Sequence, residues 1–232
     1  MADPQRWHDR NVRLRIDSMA VLLFLLVLNV FVVPFTVAPN SILARVARDV
    51  LLSLILVSGM TTVSDHRRQF LAIAVVAIVA IVIRCTAWLL PLGTTPGLYD
   101  ITGLFALGIL CVVIGIKIFS GGTVTVDRIL GAVVLYVLIG VVWAEAYQLL
   151  NAHVPDAFAG IPPEGSPTDR STWVYFSFVT LTTVGYGDVT PLAHLARSLA
   201  ILEALIGQLY PAIVLARLVS LHAASSADGT HR

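Results

Sequence analysis

The residues best suited to chemistry in this chain form one short run, Thr182-Thr183-Val184-Gly185-Tyr186-Gly187-Asp188, inside an apolar, aromatic-rich stretch that begins at Ser171. The run holds no nucleophile with an adjacent base and no paired acids. What it offers is backbone. Gly185 and Gly187 alternate with larger residues and tolerate positive φ because they lack a Cβ. A strand built that way can stack its carbonyls on one side, and a row of peptide oxygens can replace the water shell of a cation in a narrow passage. A glycine-rich turn with no ion role is the bland alternative, but Asp188 adds a carboxylate where it would concentrate cations. The other candidates lead nowhere comparable. His66, His153, His194 and the carboxylates form no recognisable catalytic or metal-holding constellation. Cys85 and Cys111 sit in separate apolar runs without CxxC spacing, and they read as buried apolar filler rather than a disulfide or metal site.

Such a loop must be positioned by elements that suit a bilayer. Of the 232 residues, 57% are hydrophobic and only 12% charged, and the mean hydropathy is +0.88, a balance that a water-soluble domain could not fold around. The net charge of +1 and the lack of a lysine-rich stripe exclude nucleic acid as a partner. A helix needs about 20 apolar residues to cross the hydrocarbon core. Six runs qualify, over 18–33, 42–63, 70–90, 98–119, 127–150 and 192–221. A seventh, 171–183, is too short to cross and ends in the glycines, as a re-entrant half-helix would. The expected fold is therefore an all-α membrane protein with six transmembrane helices, a re-entrant pore helix and a filter loop.

Charge orients these spans. Arg6, Arg10, Arg13 and Arg15 precede the first, Arg67 and Arg68 follow the second, and Lys117 and Arg128 flank the connection from the fourth to the fifth. The positive-inside rule places all of them, and both termini, in the cytoplasm, and the half-helix then enters from outside. A signal peptide is a weaker reading of the first run, because Asp3, Asp9 and Asp17 surround its basic residues and no small-residue cleavage site follows. The segment 151–170, with four prolines and two glycines, reads as an irregular outer loop.

The run 182–188 closely resembles the signature sequence of potassium channels. The resemblance implies that Thr183, Val184, Gly185 and Tyr186 form successive K+ sites around a fourfold axis, with the Thr183 hydroxyl at the inner end. It implies a homotetramer in lipid and no cofactor beyond the filter ions. It also implies that Trp173, Tyr175 and Phe176 make an aromatic collar behind the filter, beside Thr182. For Trp173 an interfacial anchor is an equal reading. Some members carry a Glu where Val179 stands, paired with the filter Asp, and that partner is missing here.

Trp143-Ala144-Glu145-Ala146 looks like the outer end of the fifth helix in six-span, voltage-gated-type potassium channels, where the Glu braces the pore. An ionised side chain deep in a span costs on the order of 3 kcal/mol, so Glu145 is expected to face protein rather than lipid. Gly207 lies nineteen positions after Asp188, where such channels place an inner-helix hinge, and Pro211 follows four residues later. Proline leaves the Gly207 carbonyl without its helical amide, which predicts a kink, while close helix packing is the plainer role for Gly207. Glu203 is open between a functional carboxylate and a structural pair with the rear of the half-helix. Arg197 reads as an anchor.

The resemblance holds over 127–221 and fades before it. The fourth span carries only Lys117 at its inner end, not a ladder of arginines, and Arg45, Arg48 and Arg84 read as snorkelling or paired with Asp49 and Asp100. The connection 120–125 is a poor coupling helix. The expected organisation is a cytoplasmic segment (1–17), a four-helix domain without gating charges (18–119), a pore domain (120–221) and a short tail (222–232). The expected function is a potassium-selective channel, weakly or not voltage-dependent, in a plasma membrane of prokaryotic type, and not an enzyme. A non-selective cation channel or a non-conducting regulatory subunit is the alternative.

Overall fold

The computed structural model describes residues 18–36, 42–62, 71, 74, 75, 77–79, 81, 82, 96–119, 126–161 and 170–229. The third expected span, 70–90, lies largely outside the described residues; its described positions are helical.

Helix α1 (Ser18–Thr36) is a Leu/Val/Phe run with a wide turn, Leu28–Val32, in which the Val33 amide reaches back five residues to the Leu28 carbonyl. Pro34 has no N–H to continue the regular pattern, and a one-residue bulge absorbs the mismatch. Helix α2 (Ile42–Thr62) follows. Helix α3 (Pro96–Phe119) opens on a proline, whose fixed φ suits a first helical position. Helix α4 (Val126–His153) has Asp127 in its first turn, the sign that suits the helix dipole, and ends on His153, whose Nδ1 lies 2.8 Å from the Leu149 carbonyl oxygen. At 1.5 Å per residue its 28 residues span about 42 Å, more than the hydrocarbon thickness. Helices α1, α3, α4 and the last helix, α6 (His194–Gly229), each contain a stretch long and apolar enough to cross a membrane. Helix α5 (Arg170–Leu181) has 12 residues and spans only about 18 Å.

The described part of the expected outer loop, 151–161, is more ordered than the composition of 151–170 predicts. Strand β1 (Phe158–Ala159) pairs antiparallel with β2 (Thr190–Pro191), and the amides of Leu192 and Ala193 both donate to the Ala157 carbonyl. Two-residue strands leave no periodic trace in a sequence, so the pairing is invisible there. Its consequence is topological: the chain from 160 to 189, including α5 and the glycine run, departs from and returns to one place. A second difference is at the C-terminal end, where α6 runs helical through Gly229 instead of ending near 221.

The core runs between α3 and α4, with Leu107, Leu110 and Ile114 against Leu135 and Leu138, and extends to Leu22 and Leu26 of α1 and Ile55 and Leu56 of α2. Helix α1 also reaches α5 of the same chain, where Phe31 and Phe178 meet with ring centroids 6.3 Å apart. At the other end, Arg217 of α6 donates to the last carbonyl of α3, Phe119, at 2.6 Å and lies over its ring.

Candidate functional site

The glycine run sits at the C-terminal end of α5. Its amides turn back into the helix that precedes it: Thr182 N bonds to Phe178 O at 3.0 Å, Thr183 N to Thr180 O at 2.9 Å, and Val184 N and Gly185 N both to Val179 O at 2.9 and 3.3 Å. The Thr182 hydroxyl also donates to Phe178 O. These bonds satisfy orphan carbonyls of the last helical turn. Among the described residues, no hydrogen bond reaches the carbonyls of Thr183 to Gly187, and residues 182–188 are exposed. Thr183, Gly185 and Gly187 have φ of 60°, 57° and 79°. In a regular strand successive carbonyls alternate sides, and positive φ at every second residue is the backbone condition for turning them the same way. The glycines meet it freely. Thr183, β-branched, meets it at a steric cost that its sequence position does not announce. A Cβ at Gly185 or Gly187 would touch nothing within 4 Å, so backbone conformation alone demands glycine there.

Tyr175 stands beside the loop. Its ring stacks on Tyr186, centroids 6.4 Å apart and planes 1° from parallel, and its hydroxyl donates to Asp188 Oδ2 at 2.7 Å. The Val189 amide donates to Asp188 Oδ1 at 3.0 Å. The Tyr175 hydrogen bond, helped by that amide, holds the Asp188 carboxyl below the usual carboxylate range, and the same bond pushes Tyr175 up to about 12. The carboxylate that lacks a Glu at position 179 is thus held by a phenol.

Trp173 and Phe176 lie elsewhere. Both are buried on the other side of α5, where Phe158 of β1 packs edge-on against Trp173 at 5.0 Å and Phe176 at 5.4 Å, and Tyr147 of α4 packs on Phe176 at 4.9 Å. Of the three aromatics, Tyr175 alone has a ring or hydrogen-bond contact to the loop among the described residues; Phe176 packs α5 on α4 and Trp173 packs it on β1. Trp173 is 1% exposed, which leaves no room for an interfacial role.

Glu145 is buried and pairs with Arg170 at 2.6 Å, and Arg170 also donates to Asn29 Oδ1 at 3.2 Å. The first residue of α5 is thereby tied to α4 and to the wide turn of α1. Arg170 and Asn29 carry no sequence motif; the signal that could have found them is that Glu145 needs a cation.

Helix α6 supports the loop from the opposite side. Glu203 is fully buried, its Oε1 2.6 Å from Ser177 Oγ and its Oε2 2.6 Å from the Tyr147 hydroxyl. This is pairing with the rear of the half-helix, and it takes in α4 as well. One turn further, Gly207 faces the end of α5: a Cβ there would sit 1.8 Å from the Leu181 carbonyl oxygen. That oxygen accepts from Tyr136 at 3.4 Å, and the Tyr136 ring stacks on Tyr210, whose hydroxyl donates to Ala132 O at 2.7 Å. Gln208 Nε2 donates to Thr183 Oγ1 at 2.8 Å. Helix α6 passes through Gly207 and Pro211 without interruption, so the role the geometry gives Gly207 is close approach. Arg197 donates to Pro191 O at 3.1 Å, anchoring β2. The side chains of Arg45 and Asp100, and all of Arg84, lie outside what the structure describes. Among the described residues no three His, Cys, Asp or Glu side chains could hold a metal ion together.

Among the described residues, four helices are long and apolar enough to cross a membrane, and with them stand a short helix and a loop of unpartnered carbonyls. Residues 129–223, from α4 through most of α6, match the family described as "Ion channel", and the chain carries an ion-channel domain there. Among curated proteins it is similar to Protein LctB of Geobacillus stearothermophilus and Protein LctB of Bacillus caldotenax. Each is 38% identical over 80 residues, 33% of this chain, which spans 59% of the length of either relative. No solved structure matches at a significant level.

Proposed function

We propose that the chain is one subunit of a potassium-selective channel in which four copies bring the 183–187 carbonyls together around an axis. The observation that carries this reading is the asymmetry of the loop: the amides of Thr182 to Gly185 are spent on α5, while the carbonyls of Thr183 to Gly187 are left unpaired by the described residues on an exposed surface. Peptide oxygens cost free energy if buried without a partner, and K+ coordinated at several levels is a partner that fits. The exposed apolar side chains of Ile201, Leu205, Leu209 and Ile213 on α6 match burial against neighbouring subunits.

In this reading α5 is the re-entrant half-helix, entering from outside, and both termini are cytoplasmic. The Asp188 carboxylates ring the outer mouth. The first four helices are a scaffold packed beside the pore of their own chain, and potential has little to act on, because Lys117 is the one basic residue of the fourth span. The channel belongs in a prokaryotic plasma membrane, works without a cofactor and is not an enzyme.

The test is flux from purified protein in liposomes, with reversal potentials in mixed potassium and sodium. Wild type is expected to pass K+ and discriminate against Na+, and Gly185→Ala to lose that discrimination. Equal permeability of the two ions in wild type would instead mark a non-selective cation channel, and no flux a non-conducting subunit.

A further inference from the structure

Ser177 Oγ lies 2.8 Å from the Gly140 carbonyl oxygen of α4 and 2.6 Å from Glu203 Oε1 of α6. A serine hydroxyl has a single hydrogen, and both neighbours are acceptors if Glu203 is ionised. Were the serine hydrogen given to a carboxylate, Oγ and Gly140 O would face each other lone pair to lone pair. A proton on Oε1 resolves the conflict. Oε1–H then donates to Ser177 Oγ, Ser177 donates to Gly140 O, and Oε2 accepts from Tyr147, whose hydroxyl is 2.6 Å away. Each hydrogen has one acceptor and each short contact one hydrogen.

We infer that Glu203 is a positioning residue that works as a neutral carboxylic acid, its own proton completing a hydrogen-bond chain that binds α6, α5 and α4 together behind the loop. The groups facing it support this. Tyr147 and, at longer range, Tyr136 are the titratable side chains of α4; α5 presents Ser177; on α6 the helical neighbours Leu199, Ala200, Ile206 and Gly207 are uncharged. Among the described residues, Glu203 has no cationic partner and is 0% exposed. A carboxylate buried with two hydroxyl donors and no counter-charge is the costly arrangement; the acid is fully satisfied. Ser177 lies two residues before Val179, whose carbonyl takes the amides of Val184 and Gly185, so the chain of bonds fixes α5 within one turn of the backbone that shapes the loop.

Its effect on ion flow rests on the potassium-channel reading, whereas the protonation assignment does not, and the experiment separates them. Infrared difference spectra of the purified full chain, wild type minus Glu203→Gln at neutral pH, are expected to contain the C=O stretch of a buried carboxylic acid, shifted on deuteration. Carboxylate bands in its place overturn the assignment. In liposomes Glu203→Leu, which keeps the bulk and removes the bonds, is expected to lower K+ flux roughly tenfold. Glu203→Gln, whose amide reproduces one donor and one acceptor, is expected to restore it. Gln as damaging as Leu, or Leu equal to wild type, overturns the positioning role. Absence of K+ flux in wild type refutes the channel reading, and the spectra still decide the proton.

Discussion

Substituting Gly207 by alanine separates two roles for this residue, hinge and spacer. The added Cβ would lie 1.8 Å from Leu181 O and 2.7 Å from Leu181 C, where real Cβ contacts stay above 3.0 Å. The obstacle is backbone at the end of a helix, so it cannot rotate aside, and α6 must withdraw from α5 by roughly 1 Å. Overpacking of this kind costs about 1 to 3 kcal/mol. The withdrawal also stretches the Gln208 to Thr183 bond, now 2.8 Å, worth about 1 kcal/mol. The expected total is about 2 to 4 kcal/mol. It is measured as a fall of several degrees in the thermal midpoint of the purified protein, together with reduced K+ flux. Pro211→Ala, which restores a helical amide and adds no clash, is expected to leave the midpoint at or above that of wild type. If Gly207→Ala has the stability of wild type and alters only opening, the close-approach argument is wrong and the residue is a hinge.

Arg170→Ala strands the buried Glu145 carboxylate, and losing one partner of such a pair costs about 3 to 5 kcal/mol; denaturation in detergent should show it, with partial recovery in Arg170→Ala/Glu145→Gln. Tyr175→Phe removes the phenol from Asp188 and is expected to destabilise the conducting loop, seen as faster decay of K+ current. Because the folded Asp188 carboxyl lies below its ordinary range, the Tyr175 bond contributes fully above that range and is lost as pH falls through the lowered value. Wild-type current should therefore be flat near neutrality and decay quickly only in strong acid, while Tyr175→Phe loses this acid dependence. Conductance–voltage curves should be shallow, and a steep curve moving several charges would refute the scaffold role of the first four helices.

Much of the loop was legible in the residues. Apolar run lengths placed the boundaries of α1 through α5 and the start of α6 within a few positions, while the end of α6 lies eight residues beyond its apolar run, because apolar length limits a crossing helix and not a helix that continues past it. Gly185 and Gly187 revealed their backbone geometry, since no other residue adopts positive φ so cheaply. Glu145 and Glu203 announced that they needed partners, because charge in a span is expensive. The partners themselves were not legible. Arg170, Ser177 and Tyr147 are ordinary residues 25 or more positions away from the acids they serve, Tyr147 sits beside Glu145 but bonds Glu203, and Asn29 is 141 positions from the Arg170 it accepts from.

The sequence alone determined which segments are apolar enough for a bilayer and that the backbone at Gly185 and Gly187 can take positive φ, for both properties reside in composition and local backbone freedom. Tertiary structure decided which aromatic holds Asp188, that Trp173 and Phe176 face away from the loop, and that Gly207 is a point of contact. Those outcomes depend on which helix faces lie opposite one another, a relation between distant segments that no local pattern encodes.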